Sequence, residues 1–251
     1  MLTICYKGTA YHGFQVQKNA LTVSQVFQDA VEKVLKKRED IKGCSRTDAG
    51  VHANQFCISM RTDCAIPCEN LVKALNVNLP LDVAVLSCRE VEEDFHARYS
   101  CSGKRYVYKI WNHPVKSPFL GEYSWHCPHQ LNVDLMAKSC QDFIGTHDFS
   151  AFCAAGGSVE DKVRTIYSAK VFREGDMILF SVEGDGFLYN MVRIMAGTLV
   201  EIGGGFLSSD SIPAILQSQQ RQQAGRTAPP HGLYLDRVFY PSLEKKEEGY
   251  G

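Results

Sequence analysis

The stretch CSRTDAGVHANQ, at residues 44–55, is where the sequence most clearly suggests chemistry. It places Asp48 two residues after Arg46 and two before Gly50, in a segment too polar for a strand core and too short for a helix. A carboxylate held in a glycine-containing loop can act as a nucleophile or a general base. Aspartates in turns also commonly bond their own backbone, and Arg46 could simply form an ion pair with Asp48, so both interpretations stay open.

Tyr106 is the second candidate, in the stretch KRYVYK. It shares one face of a predicted strand with Tyr108 and Ile110, a spacing typical of core residues. Because Lys104 and Arg105 precede it, the ring could instead stack on a nucleobase. Spacing alone does not choose between these two roles.

Arg193 is the third candidate, in the stretch YNMVRIMAG, where its neighbours in a predicted helix are apolar. A buried charge without a partner is very costly, so a buried Arg193 would need an acid. Asp48 is a carboxylate that could supply this partner. The alternative is that Arg193 reaches the surface.

The distribution of charge suggests a nucleic-acid partner, although the net charge of −1 does not. Residues 95–121 and 211–235 contain no acid. The basic residues in these stretches are Arg98, Lys104, Arg105, Lys109, Lys116, Arg221 and Arg226. A local basic groove on a neutral protein can attract phosphates, but solvated strands would show the same pattern.

Several classes of protein are disfavoured. The ten cysteines contain no C-x-x-C pair, and no histidine lies near Cys64 and Cys68 at ligand spacing, which disfavours a zinc site. The GGG at 203–205 lacks the Lys-Ser/Thr of a phosphate-binding loop. No secretion signal and no apolar run long enough to span a bilayer are visible, so we expect a cytoplasmic protein.

The candidate residues must be positioned by an α+β framework. Strand patterns at 2–6, 41–45, 55–61 and 82–91 and helix patterns at 22–37 and 69–80 give the order β-α-β-β-α-β, a split βαβ unit. The second half repeats this order loosely, with strands at 104–111, 164–173, 177–184 and 233–240 and helices at 132–145, 187–203 and 208–217.

These patterns predict two ferredoxin-like halves that form a mixed or antiparallel sheet, with helices on one face and a cleft between the halves. The predicted boundaries are 1–97 for the half that carries the Asp48 loop, 98–243 for the other half, and 244–251 for a disordered tail.

The sequence resembles the tRNA pseudouridine synthases of the A type. The motif that carries the resemblance is GCSRTDAGVHA, accompanied in the family's order by YHGFQ, NVNLP, DFHAR, KRYVYKIWN, FSAF, MVRIMAG and HGLYL. Together they extend from about residue 2 to residue 240. Lys7 and Val16 differ from the residues that the family often has at these positions. Both lie outside the expected chemical centre, so they bear on loop contacts with RNA and not on the reaction.

The resemblance implies roles for four residues. Asp48 would be the nucleophile, Tyr106 would stack on the target base and take part in deprotonation, Arg193 would pair with Asp48, and Arg46 would help displace and hold the flipped nucleotide. The predicted substrate contacts are Tyr106, Arg46, His52, Arg98, Lys104 and Arg105.

The resemblance also implies a homodimer that acts on tRNA without a cofactor or a metal. Its substrates would be uridines 38, 39 and 40 in the anticodon arm. One alternative is a catalytically inactive RNA-binding module, but simple binding has no use for an acid facing phosphates. A metal-dependent hydrolase is the other alternative, disfavoured because no cluster of carboxylates and histidines occurs at ligand spacing.

Overall fold

The computed structural model describes residues 1–157, 159–241 and 243, and it confirms the predicted mixed α+β class. The chain divides into two units. The first unit consists of Met1–Ser102 together with the described residues from Tyr234 onward, and the second unit is Gly103–Leu233, of which all but residue 158 is described.

The first unit follows the predicted β-α-β-β-α-β order. Its elements are β1 (Leu2–Tyr6), α1 (Val23–Leu35), β2 (Ile41–Gly43), β3 (His52–Met60), α2 (Cys68–Asn78) and β4 (Val83–Cys88). Strand β1 lies between β4 and β3, and β2 also pairs with β3, all antiparallel. The loop that carries Asp48 therefore connects two neighbouring strands.

Helix α1 shows how the sequence sets these elements. Its N-cap, Thr22, accepts a hydrogen bond from the Gln25 N–H at 3.3 Å, and Lys36 ends the helix in a left-handed conformation with φ 57°. Val23, Phe27, Ala30 and Val31, at helical spacing, are the apolar residues of its buried face.

The second unit contains two strands that the sequence did not predict. Its elements are β5 (Gly103–Trp111), β6 (Trp125–His126), α3 (Val133–Ser139), β7 (Gly145–Asp148), β8 (Val163–Glu174), β9 (Met177–Gly184), α4 (Met191–Gly203) and α5 (Ser211–Ser218). The strand order is β5-β9-β8-β7, antiparallel throughout, with β6 parallel to β5.

Two predicted helices are shorter than expected, for local reasons. Helix α3 tightens into a 3-10 turn at Cys140–Phe143, and Gly145, at φ 115°, begins β7 instead of ending a helix. Helix α4 begins at Met191 rather than at 187, because Asn190 adopts a left-handed conformation with φ 59°.

The last strand, β10 (Leu233–Phe239), runs parallel to β3, with Tyr234 opposite His52 and Leu235 opposite Ala53. The sequence assigned this strand to the half at 98–243, whereas its residues from Tyr234 belong to the first unit. Parallel partners are distant in the sequence, so hydrophobic pattern alone does not reveal this pairing. The predicted tail at 244–251 lies outside the described residues. Among the described helices, none has the length and apolar character needed to cross a membrane.

Candidate active site

The loop that carries Asp48 is fixed by backbone hydrogen bonds to the segment 8–14. The Phe14 N–H donates to the Thr47 carbonyl at 3.3 Å, and the Gly50 N–H donates to the Tyr11 carbonyl at 3.1 Å. These two bonds flank Asp48, which is half-buried. The loop therefore holds its carboxylate on a backbone anchored from both sides.

Two glycines allow the segment 8–14 to approach the loop this closely. A Cβ on Gly8 would collide with the Val51 carbonyl, and one on Gly13 would collide with the Thr47 carbonyl. Gly13 also has φ 81°, a conformation that residues with a side chain rarely adopt. The glycines of KGTAYHGF are therefore required by contact with the Asp48 loop.

Tyr11 connects this loop to the start of β4. Its carbonyl accepts the bond from Gly50, and its hydroxyl donates to Asp82 Oδ1 at 2.6 Å. Burial, followed by the hydrogen bond to Asp82 and its negative charge, raises the pKa of the Tyr11 hydroxyl. The protonated hydroxyl remains a hydrogen-bond donor at neutral pH, so this anchor persists there.

His52 also supports the loop from inside. Only 1% of its surface is exposed, and its Nδ1 accepts a hydrogen bond from the Gly8 N–H at 3.0 Å. Its ring stacks on Tyr234, with centroids 4.7 Å apart. Both contacts are with other residues of the first unit. The predicted role of His52 in substrate binding stays a prediction.

Replacing Gly13 with Ala should destabilise the protein by roughly 2–4 kcal/mol and reduce activity in the remaining folded fraction, because the new Cβ meets both a strained φ and the Thr47 carbonyl. Gly205→Ala is the matched control. Gly205 has φ 76°, yet nothing lies within 4 Å of its hypothetical Cβ, so we expect a loss of only about 1 kcal/mol. Urea unfolding of both variants measures the difference, and equal losses would contradict the close approach.

Tyr106 lies in the second unit, on the buried face of β5 that it shares with Tyr108 and Ile110. It is 6% exposed and packs edge-on against Phe187, with centroids 5.0 Å apart and planes at 76°. Tyr108 uses its hydroxyl differently, donating to the Pro229 carbonyl at 2.7 Å. The same strand face thus positions both tyrosines rigidly.

Arg193 is one of two residues of α4 that are not buried, and its guanidinium is oriented by two hydrogen bonds. Nε donates to the Ala228 carbonyl at 2.7 Å, and Nη1 donates to Asn190 Oδ1 at 2.6 Å. Asn190, the left-handed N-cap of α4, and the Ala228 carbonyl together orient the guanidinium of Arg193.

The contact at Ala228 belongs to a longer feature that the sequence analysis did not find, namely a strap formed by residues 221–228 along α4. The Gly225 N–H donates to Thr198 Oγ1 at 3.0 Å, and the Arg226 N–H donates to Glu201 Oε1 at 3.0 Å. A Cβ on Gly197 would collide with the Arg226 carbonyl. A glycine in the middle of a helical pattern was the available signal, because it often marks a close backbone approach.

The predicted basic contacts lie in different surroundings. Arg105 is paired across the sheet with Glu183, Nε to Oε1 at 2.6 Å, whereas Lys104 is half-buried on the same strand. Arg98 is exposed in the first unit, with its guanidinium 5.7 Å from the ring centroid of Tyr99. Arg46 is exposed two residues before Asp48.

The described contacts thus organise the predicted site residues in two sets. Asp48, Arg46, His52 and Arg98 lie in the first unit, and Lys104, Arg105, Tyr106 and Arg193 lie in the second. Within residues 1–157, 159–241 and 243, no three His, Cys, Asp or Glu side chains form a group that could hold a metal ion.

The chain is similar over most of its length to proteins of one known family. A family model described as tRNA pseudouridine synthase matches residues 3–100 and 139–241. A tRNA pseudouridine synthase A of Thermoanaerobacter sp. (strain X514) is 46% identical over 240 residues, covering 96% of this chain and 98% of that protein. The protein of the same name from Ruminiclostridium cellulolyticum is 48% identical over 240 residues, covering 95% and 98%.

Proposed function

The chain belongs to the tRNA pseudouridine synthase family, and on that premise we propose that it isomerises uridine to pseudouridine at positions 38, 39 and 40 of tRNA. The observation that carries the proposal is the match of the family model to both units, including the RTDAGVH loop and the MVRIMAG helix. Membership also favours an enzyme over an inactive RNA-binding module.

Asp48 is the proposed nucleophile. In the isomerisation the N1–C1′ bond of uridine breaks, the base rotates, C5 bonds to C1′, C5 loses its proton, and N1 gains one. Substrate and product are isomers, so the overall change is neither a net oxidation nor a hydrolysis and requires no electron donor or acceptor. A carboxylate can assist by attacking the sugar at C1′ or by another route, provided that it is ionised and held still. The anchored loop around Asp48 supports the second condition.

Arg193 and Tyr106 are proposed to act with Asp48. A guanidinium near a carboxylate favours its charged form and offsets the cost of removing it from water. The two bonds that orient Arg193 support this role. Tyr106 would stack on the target base, and its edge-on contact with Phe187 orients the ring.

Arg46 is proposed to hold the flipped nucleotide. A base inside a stem must leave the stack before its glycosidic bond can be reached, which costs a few kcal/mol. An exposed arginine two residues before the nucleophile can occupy the vacated space and contact phosphate. We further propose a cytoplasmic homodimer, in which a second 28.0 kDa subunit could hold the far end of the tRNA arm.

The direct test is to incubate the protein with unmodified tRNA transcripts and to map pseudouridine by carbodiimide modification and primer extension. We expect stops at positions 38, 39 and 40 wherever these carry uridine, with full activity after EDTA treatment. Modification elsewhere with these three unchanged would refute the site assignment, and absence of any pseudouridine with tRNA still bound would favour the binding module.

Lys104→Ala should weaken tRNA binding and reduce the slope of log K against log salt by about one, because one phosphate contact is lost. Arg105→Ala should change the slope less, since Glu183 already compensates this charge within the strand pair. Filter binding between low and moderate salt measures both. If Lys104→Ala leaves the slope unchanged, this part of β5 is a solvated strand and not a phosphate contact.

A further inference from the structure

Two cysteines of the first unit lie together where α2 and β4 meet. Cys68 is the first residue of α2 and Cys88 the last of β4, and the Cys88 S–H donates to Cys68 Sγ with the sulfurs 3.1 Å apart. Helix and strand are consecutive and run in opposite directions. Asn76 joins them further along, its amide donating to the Val85 carbonyl at 2.9 Å and its Oδ1 accepting from the Val85 N–H at 2.8 Å. The thiol pair therefore closes the open end of this helix–strand pair.

The pair differs in accessibility from Cys44 and Cys57, whose contact joins the Cys57 backbone N–H to Cys44 Sγ. Cys44 and Cys57 are buried, at 0% and 5% exposure, so solutes do not reach them. Cys68 and Cys88 are half-buried. Both residues therefore keep some contact with solvent, and their chain neighbours Pro67, Glu69 and Ser87 are exposed.

The two sulfurs are also not equivalent. Burial, followed by the hydrogen bond to Cys68, raises the pKa of the Cys88 thiol to about 12, so Cys88 keeps its proton at neutral pH. Cys68 is the acceptor of the bond between them. An electrophile therefore meets Cys68 as the first nucleophile and Cys88 as the second.

We propose that Cys68 and Cys88 form a modification site at which a peroxide generates an intramolecular disulfide. The Cys68 sulfur attacks one peroxide oxygen, the O–O bond breaks, and Cys68 becomes a sulfenic acid while its proton leaves with the departing hydroxide as water. The Cys88 sulfur then attacks the Cys68 sulfur, the S–O bond breaks, and the second hydroxide leaves with the Cys88 proton. The two sulfurs lose two electrons, which the peroxide gains.

The geometry requires little movement for this reaction. The sulfurs must approach by about 1 Å to reach the roughly 2.05 Å of a disulfide. The bond closes a loop of about 20 residues, which restricts the unfolded chain more than the folded one, because the ends already meet in the folded protein. Oxidation should therefore raise the Tm by roughly 5–10 °C, without adding a contact elsewhere.

The test treats the reduced full-length chain with one equivalent of hydrogen peroxide, alkylates the remaining thiols and maps peptides by mass spectrometry. We expect a Cys68–Cys88 peptide lighter by two hydrogens and a raised Tm. Cys68→Ser and Cys88→Ser should each lose both effects. Cys64→Ser is the matched control, since Cys64 is exposed four residues before Cys68 and should not be required.

Preferential oxidation of Cys64, a Cys64–Cys68 link, or a Cys68–Cys88 link that lowers the Tm would each overturn the proposal. A second measurement does not depend on the folding of the variants. Phenylarsine oxide, which bridges two adjacent thiols without oxidising them, should protect Cys68 and Cys88 of the wild-type chain from alkylation at one equivalent. Unchanged alkylation of both residues would show that the pair cannot act as a dithiol, and would leave the proposed isomerase activity unaffected.

Discussion

Asp48→Asn is expected to abolish pseudouridine formation, by at least about 10⁴-fold, while tRNA affinity stays the same or rises slightly. Asparagine keeps the shape of the side chain and most of its hydrogen bonding, but it is neutral and a poor nucleophile. Binding should not suffer, because removing a negative charge near the phosphates removes a repulsion. The bonds that fix this loop, from Phe14 to Thr47 and from Gly50 to Tyr11, involve backbone atoms alone and survive the substitution.

Single-turnover assays with a saturating enzyme concentration separate this loss of chemistry from any change in affinity. Asp40→Asn is the matched control, because Asp40 is an exposed acid just before β2 that pairs with Lys42 at 2.6 Å. It should keep wild-type turnover. If Asp48→Asn unfolds the protein, Asp48 is a structural turn residue, and if it folds and converts uridine at nearly the wild-type rate, the nucleophile assignment is wrong.

Most helices and strands could be predicted from local sequence patterns. Helix α1 could be predicted because its N-cap signal and its apolar period agree, and the β8–β9 hairpin because two alternating stretches flank the turn at Gly175. Strands β6 and β7 were missed because two and four residues are too few to show a period. The parallel pairing of β10 with β3 depends on residues about 180 positions apart, which no local signal reports.

The sequence suggested the residue types of the candidate site, but it did not suggest the contacts that hold them in place. Asp48 stands out because it lies between Arg46 and Gly50, in a segment too polar for a strand core and too short for a helix. The need for Gly8 and Gly13 comes from the carbonyls that they contact, and these are known only once the chain has folded. Arg105 was predicted to contact RNA from its charge alone. Strand register places it opposite Glu183, and this ion pair reduces the positive charge that Arg105 can offer to a phosphate.

Arg193→Lys is expected to reduce kcat by about 10²-fold, although the charge is kept. A lysine ammonium cannot reproduce the planar fork that the Ala228 carbonyl and Asn190 hold in place. Asn190→Gly removes one of these two bonds, keeps the guanidinium and tolerates the left-handed φ of 59°, so a smaller loss of about tenfold should follow. Equal losses in the two variants would show that orientation, and not the identity of the cation, sets the rate.

Arg193→Gln should reduce kcat more than Arg193→Lys does. If Arg193 and Asp48 form the proposed pair, the substitution should also move the acid limb of the pH–rate profile to higher pH, because Asp48 would then ionise without the guanidinium. His231 reports independently whether the charge has been removed. Burial, followed by the charge of Arg193, lowers the pKa of His231 below its ordinary value. Loss of that cation should therefore raise it, which NMR titration measures. A raised His231 pKa together with an unmoved acid limb would show that Asp48 does not respond to Arg193, and would refute the proposed pairing.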